Sequence, residues 1–152
     1  MNFITDTLLV GNIDDARKPP RTVGAMLLVA EEHTIEPAAW LKYKRIPFKE
    51  FAEVDPLRLN RAVEWLEHHA PESRTLVCCR AGMGRSVSVV IAYLCCVQGM
   101  AYDEALKLAK TRRPGATPLP RLQDTVEAVR QLRALQASKK TNQPHQPKPR
   151  CA

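Results

Sequence analysis

Residues 75–97 constrain this chain more than any other stretch, because they demand a strand, a tight turn and a buried helix in direct succession. Thr75-Leu76-Val77-Cys78 is a short apolar run suited to a strand. Ser86 to Val97 is apolar on nearly every side and stops at Gly99, so a helix there belongs at the centre of a domain. Between them lies Cys79-Arg80-Ala81-Gly82-Met83-Gly84-Arg85, in which five residues separate a cysteine from an arginine. A strand-to-helix turn aims successive backbone N–H groups at one point and makes a nest for an anion. The helix start adds unpaired N–H groups and the positive end of its dipole.

These residue types suit the capture and attack of a phosphate ester. The arginine fork binds two phosphate oxygens at once. A thiol in such a field reacts as the thiolate, the nucleophilic form. Cys79 is therefore expected to attack phosphorus and Arg85 to clamp the equatorial oxygens. The backbone of Arg80, Ala81, Gly82, Met83, Gly84 and Arg85 is expected to form the cradle, and Ser86 to donate to the sulfur. An inert buried thiol is the common fate of a lone cysteine; the glycines and Arg85 at this spacing argue against it. Ser88 reads as helix filler, and Cys78 as a packed core residue.

The remainder of the 152 residues fits one α/β domain with a small, mostly parallel central sheet flanked by helices. Thr7–Val10, Ala25–Ala30 and Tyr43–Phe48 read as strands, the last entering a loop at Pro47; the all-apolar second run suits a strand covered on both faces. Asp55 and Pro56 read as the cap and first turn of a helix with Leu59, Ala62, Val63 and Leu66 on its buried side. Further helices are expected from Tyr102 to Thr111 and from Arg121 to Ala137. Residues 1–137 then form the domain. Residues 138–152 are basic and proline-rich, bury nothing, and are expected to be disordered.

Five cysteines, two pairs of them adjacent, make a poor disulfide framework and favour a reducing, intracellular, cytoplasmic setting. The start of the chain lacks the pattern of a secretory signal, and no apolar run is long enough to span a membrane. No Cys/His spacing suits a metal; His68-His69 reads as a solvated pair at a helix end. The formal charge of +7 is concentrated late, since no acid follows Glu127. That basic end admits an anionic partner such as RNA, but it reads more simply as a solvated helix end and tail. The aromatic interleaving of single-strand nucleic-acid binders is missing.

The loop resembles the phosphate-binding loop of the cysteine-based protein tyrosine phosphatases, and its Ala-Gly-x-Gly-Arg-Ser form is most similar to the dual-specificity phosphatases. Segments 4–12, 23–32, 91–94, 102–106 and 112–114 follow that family's pattern in order. The resemblance implies hydrolysis of phosphomonoesters in proteins, phosphotyrosine first and phosphoserine and phosphothreonine beside it, through a phosphocysteine and without metal or organic cofactor. It also implies a general acid on the loop before the helix that precedes the phosphate loop. Glu50 best matches the family's aspartate there, with Asp55 as the alternative. Two departures stand out. Cys78 occupies the place of a family histidine, and the segment 116–122 has no asparagine to brace the loop, leaving Thr117 as a substitute. Two other functions fit parts of the pattern: a phosphate-binding module with little turnover, and a rhodanese-like sulfurtransferase, whose loop is ordinarily shorter.

Overall fold

The apolar run at Ala25–Ala30 lies inside a sheet, as a strand with no polar face must. The computed structural model describes residues 1–141. Its strands are β1 (Asn2–Phe3), β2 (Leu8–Gly11), β3 (Ala25–Ala30), β4 (Lys42–Phe48) and β5 (Thr75–Cys78). They are ordered β1-β2-β5-β3-β4, and all pairings are parallel except β1 with β2. The helices are α1 (Ile13–Arg17), α2 (Pro56–His69), α3 (Arg85–Cys96), α4 (Tyr102–Arg112) and α5 (Leu122–Thr141).

Register explains where a site can form. Cys78 at the end of β5 pairs with Gly11 of β2 on one side and Leu28 of β3 on the other. The carboxyl ends of the central parallel strands therefore meet at one edge, where ligands of open α/β sheets bind. Their continuations, at Asn12, Glu31-Glu32 and Cys79, share that edge, and the chain leaving β4 at Phe48 reaches it too. Helix α3 starts there and runs back through the core, with every residue from Arg85 to Cys95 buried. It packs on β2, β3 and β5, and on α2, α4 and α5.

Three expectations change. A short helix, α1, follows Gly11 directly: the Asn12 side chain accepts from the Asp15 N–H and the Asp15 carboxylate accepts from the Asn12 N–H, both at 2.9 Å. Pro47 lies within β4 rather than ending it, because β4 is an edge strand and its outer side needs no N–H for the ladder. Helix α5 continues past Ala137 to Thr141, so Ser138–Thr141 is helical rather than part of a disordered tail. The rest of that expected tail, 142–152, lies outside the described residues. Among the described residues no helix is long and apolar enough to cross a membrane.

Candidate active site

The loop from Arg80 to Gly84 is held by its carbonyls. The Arg80 carbonyl accepts from the Ile13 N–H at 3.1 Å, and the Met83 carbonyl from the Thr117 N–H at 2.9 Å. The Ala81 and Gly82 carbonyls accept from the Arg113 guanidinium at 3.3 and 3.0 Å. The Gly84 carbonyl accepts from the Ser88 hydroxyl at 2.7 Å and the Ser88 N–H at 2.9 Å. In a planar trans peptide, the C=O of one residue and the N–H of the next point opposite ways. Fixing five consecutive carbonyls outward thus turns the N–H groups of residues 81–85 toward the loop's centre. Gly82 makes this possible: its φ is +70°, and a Cβ there would lie 2.6 Å from the Gly11 carbonyl.

Cys79 sits at that centre, 2% exposed. Its sulfur accepts from the Gly82 N–H at 3.2 Å and lies 3.3 Å from the Ser86 hydroxyl. Ser86 is fully buried in the first turn of α3.

Arg85 is 1% exposed and points back toward the strand ends. Glu32, just past β3, meets it with both carboxylate oxygens, at 2.6 and 2.5 Å. The Phe48 carbonyl accepts a further bond at 3.0 Å. These hydrogen bonds hold the Glu32 carboxyl down at about 2. Burial works against the Arg85 charge, but Glu32 outweighs it and raises the arginine above its ordinary value. The guanidinium is thereby locked in charge and in plane.

A cavity of about 420 Å³ opens over Cys79 and Arg85. Glu50 and Phe51 form one side, and Thr117 to Pro120 the other, with Met83 and Gly84 at the loop. The Glu50 carboxylate pairs with Arg80 at 3.2 Å and lies 3.8 Å from Arg85, so it faces the loop from the mouth. Phe51 has a left-handed backbone, φ 58°, and its ring is 78% exposed. Asp55 is elsewhere: its carboxylate caps α2 by accepting from the Arg58 N–H at 3.2 Å, and it does not line the cavity. Of the two carboxylates considered for proton transfer, only Glu50 is brought to Cys79's loop.

Residues 22–134 match the sequence profile of the dual specificity phosphatase catalytic domain. The chain belongs to the dual-specificity phosphatase family. It is 32% identical to mouse dual specificity protein phosphatase 8 over 110 residues, which is 68% of this chain and 16% of that protein. It is 29% identical to rat dual specificity protein phosphatase 15 over 133 residues, 84% of this chain and 56% of that protein. The match therefore spans a small part of the first relative and about half of the second. The crystal structure of human DUSP28 superposes with a TM-score of 0.77 at 23% identity, covering 91% of this chain and 99% of that one, a likeness of fold.

This dual-specificity phosphatase family member braces its loop with Arg113 and Ser88, roles that sequence reasoning missed. Cys78, in the histidine's place, is wholly buried, and burial pushes its thiol well up, so it is a packed neutral group. Arg113 supplies bracing from the far side, where it also donates to the Asn2 side chain at 2.6 Å. Ser88 is not filler: besides bonding Gly84 it accepts from the Leu119 N–H at 2.9 Å, tying the loop to the opposite wall. At Thr117 the contact to the loop is the backbone N–H on the Met83 carbonyl, a bond that does not depend on the threonine side chain. The signal for Glu32 was a pair of carboxylates at the end of an all-apolar strand, where a charge needs a partner.

Proposed function

We propose that the protein is a cysteine-dependent phosphatase that hydrolyses phosphomonoesters of proteins, phosphotyrosine foremost and phosphoserine and phosphothreonine beside it. The observation that carries this reading is the ring of inward N–H groups around the Cys79 sulfur, closed by Arg85. The phosphoryl oxygens fit that ring, with the arginine fork on two of them. The Cys79 thiolate attacks phosphorus, the S–P bond forms as the ester P–O bond breaks, and Glu50 gives its proton to the leaving oxygen. Glu50 then takes a proton from the attacking water. The new P–O bond forms as the S–P bond breaks, and the Ser86 hydroxyl, 3.3 Å from the sulfur, donates to the departing thiolate.

The walls favour an aryl ester. Phe51, Met83, Pro118, Leu119 and Pro120 surround the space above the sulfur with apolar surface, which suits a tyrosine ring more than a serine methylene. The free thiols Cys78, Cys95 and Cys96 accord with a reducing compartment. The test is release of inorganic phosphate from an aryl phosphate and from matched phosphotyrosyl and phosphoseryl peptides. Wild-type protein should act on all three, fastest on the aryl esters, and Arg85→Lys should lose most turnover because an ammonium cannot make the two-point clamp. Equal rates for wild type and Arg85→Lys would overturn the assignment.

A further inference from the structure

We propose that the groove between β4 and α2 is a docking site for an acidic, extended segment of a partner polypeptide. Resting on the phosphatase reading above, that partner is the phosphoprotein substrate. The groove is about 520 Å³, larger than the cavity over Cys79. One wall is a stripe of α2: Arg58, Arg61, Trp65 and His68 recur at the spacing that puts side chains on one helix face. The other wall is Lys44 to Pro47 of β4. Successive strand side chains point to opposite faces, so a groove touching four consecutive residues runs along the strand's outer edge. No strand pairs with that edge among the described residues.

The charge is one-sided. Lys44, Arg45, Arg58 and Arg61 line the groove against a single carboxylate, Glu64. None of the four cations is in an ion pair among the described residues. Arg45 and Arg58 are fixed by backbone carbonyls, of Glu31 and His33 for the first and Pro47 for the second, which orient their charge without cancelling it. Lys44 and Arg61 are exposed. The outer edge is a poor template for an added strand, since Pro47 brings no N–H to it and the Pro47 carbonyl is taken by Arg58, so it is side-chain charge that the groove offers an extended peptide. The half-buried Trp65, its ring 4.2 Å from that of His69, offers an apolar contact between the charges. Acidic side chains of an extended segment lying in the groove meet the four cations.

The groove also leads to the active site. From Lys44 the chain runs along β4 to Phe48, whose carbonyl holds Arg85, and on to Glu50. Six residues at about 3.3 Å each make about 20 Å. An acidic segment in the groove thus lies about six residues from a phosphorylated residue at Cys79, and the two contacts reinforce each other by effective concentration.

The experiment uses a fluorescent, unphosphorylated 12-residue peptide of alternating glutamate and leucine, read by anisotropy against the full chain. Wild type should bind saturably, and Lys44→Glu/Arg61→Glu should weaken binding at least tenfold, with aryl phosphate turnover unchanged. If that variant fails to fold, Lys44→Gln/Arg61→Gln should still weaken binding several-fold. A second peptide, with phosphotyrosine placed six residues from the acidic run, should show a raised KM and an unchanged kcat in the variant. Equal binding by wild type and variant, or no saturable binding, overturns the docking site even where turnover is normal. So does tighter binding of a 12-nucleotide RNA or a phosphatidylserine vesicle at the same residues. Absence of aryl phosphate turnover in wild type, with peptide binding intact, overturns the phosphatase reading instead.

Discussion

Glu32 holds both terminal nitrogens of Arg85, with contacts of 2.5 and 2.6 Å, although the two residues are far apart in the chain. The pair sets the plane of the guanidinium before any phosphate arrives. A clamp oriented in advance loses little freedom on binding, and a displacement of about 1 Å in such a group costs about 10²-fold in rate. Glu32→Ala should therefore lower kcat/KM for an aryl phosphate by about 10- to 100-fold, measured by steady-state kinetics.

The same pair has a pH signature. The Glu32 carboxyl lies at about 2 in the folded protein against an ordinary 4.5. Between those values the unfolded chain takes up a proton that the folded chain does not, so stability falls as pH falls through that window. Above pH 4.5 the contribution is fully present. Urea unfolding of wild type and Glu32→Gln across pH 2 to 5 should show the variant lacking this part of the acid slope. Parallel curves would mean that the pair adds no linked stability.

Glu50 and Asp55 separate cleanly by experiment. Glu50 faces the phosphate loop, and Asp55 caps α2. Glu50→Gln should slow hydrolysis of a phosphotyrosyl peptide by about 10²- to 10⁴-fold, as loss of a general acid does. It should affect an activated aryl phosphate far less, since that leaving group departs without a proton. Asp55→Ala should leave both rates near wild type and cost about 1 kcal/mol of stability, the usual worth of an N-cap. The reverse pattern would exchange their roles.

Ser88 joins the two walls of the site. Its hydroxyl donates to the Gly84 carbonyl and accepts from the Leu119 N–H, and it is wholly buried. Ser88→Ala leaves the Leu119 N–H without a partner, a cost of about 1–3 kcal/mol. Thermal unfolding should register that loss. Because the wall at Thr117–Pro120 loses its tie to the loop, KM for aryl phosphates should rise as well.

Sequence reasoning reached the parts of the site that are contiguous. Cys79, the loop glycines, Arg85 and Ser86 lie in one stretch whose spacing carries its chemistry, and Asp55 was legible as a cap because a cap is read from its own helix. Glu32 and Arg113 were not legible as loop partners. Each reaches the loop only through the strand order β2-β5-β3 or the packing of α4, and no local pattern encodes that. Helix α1 was missed because its signal is a reciprocal pair of side-chain bonds across three residues, too short for any apolar period. Ser88 looked like filler because its bond to Gly84 is an ordinary one within a helix turn, and its other partner, the Leu119 N–H, lies on a loop well beyond it in the chain.

Covalent capture is the most direct test of the central chemistry. A phosphotyrosyl peptide labelled on phosphorus, mixed with the protein and quenched in acid within milliseconds, should leave label on the protein, and digestion should place it on Cys79. Cys79→Ser should carry no such thiophosphate label and hydrolyse aryl phosphates at least about 10³-fold more slowly. Label on another residue, or full turnover in Cys79→Ser, would contradict attack by the Cys79 sulfur.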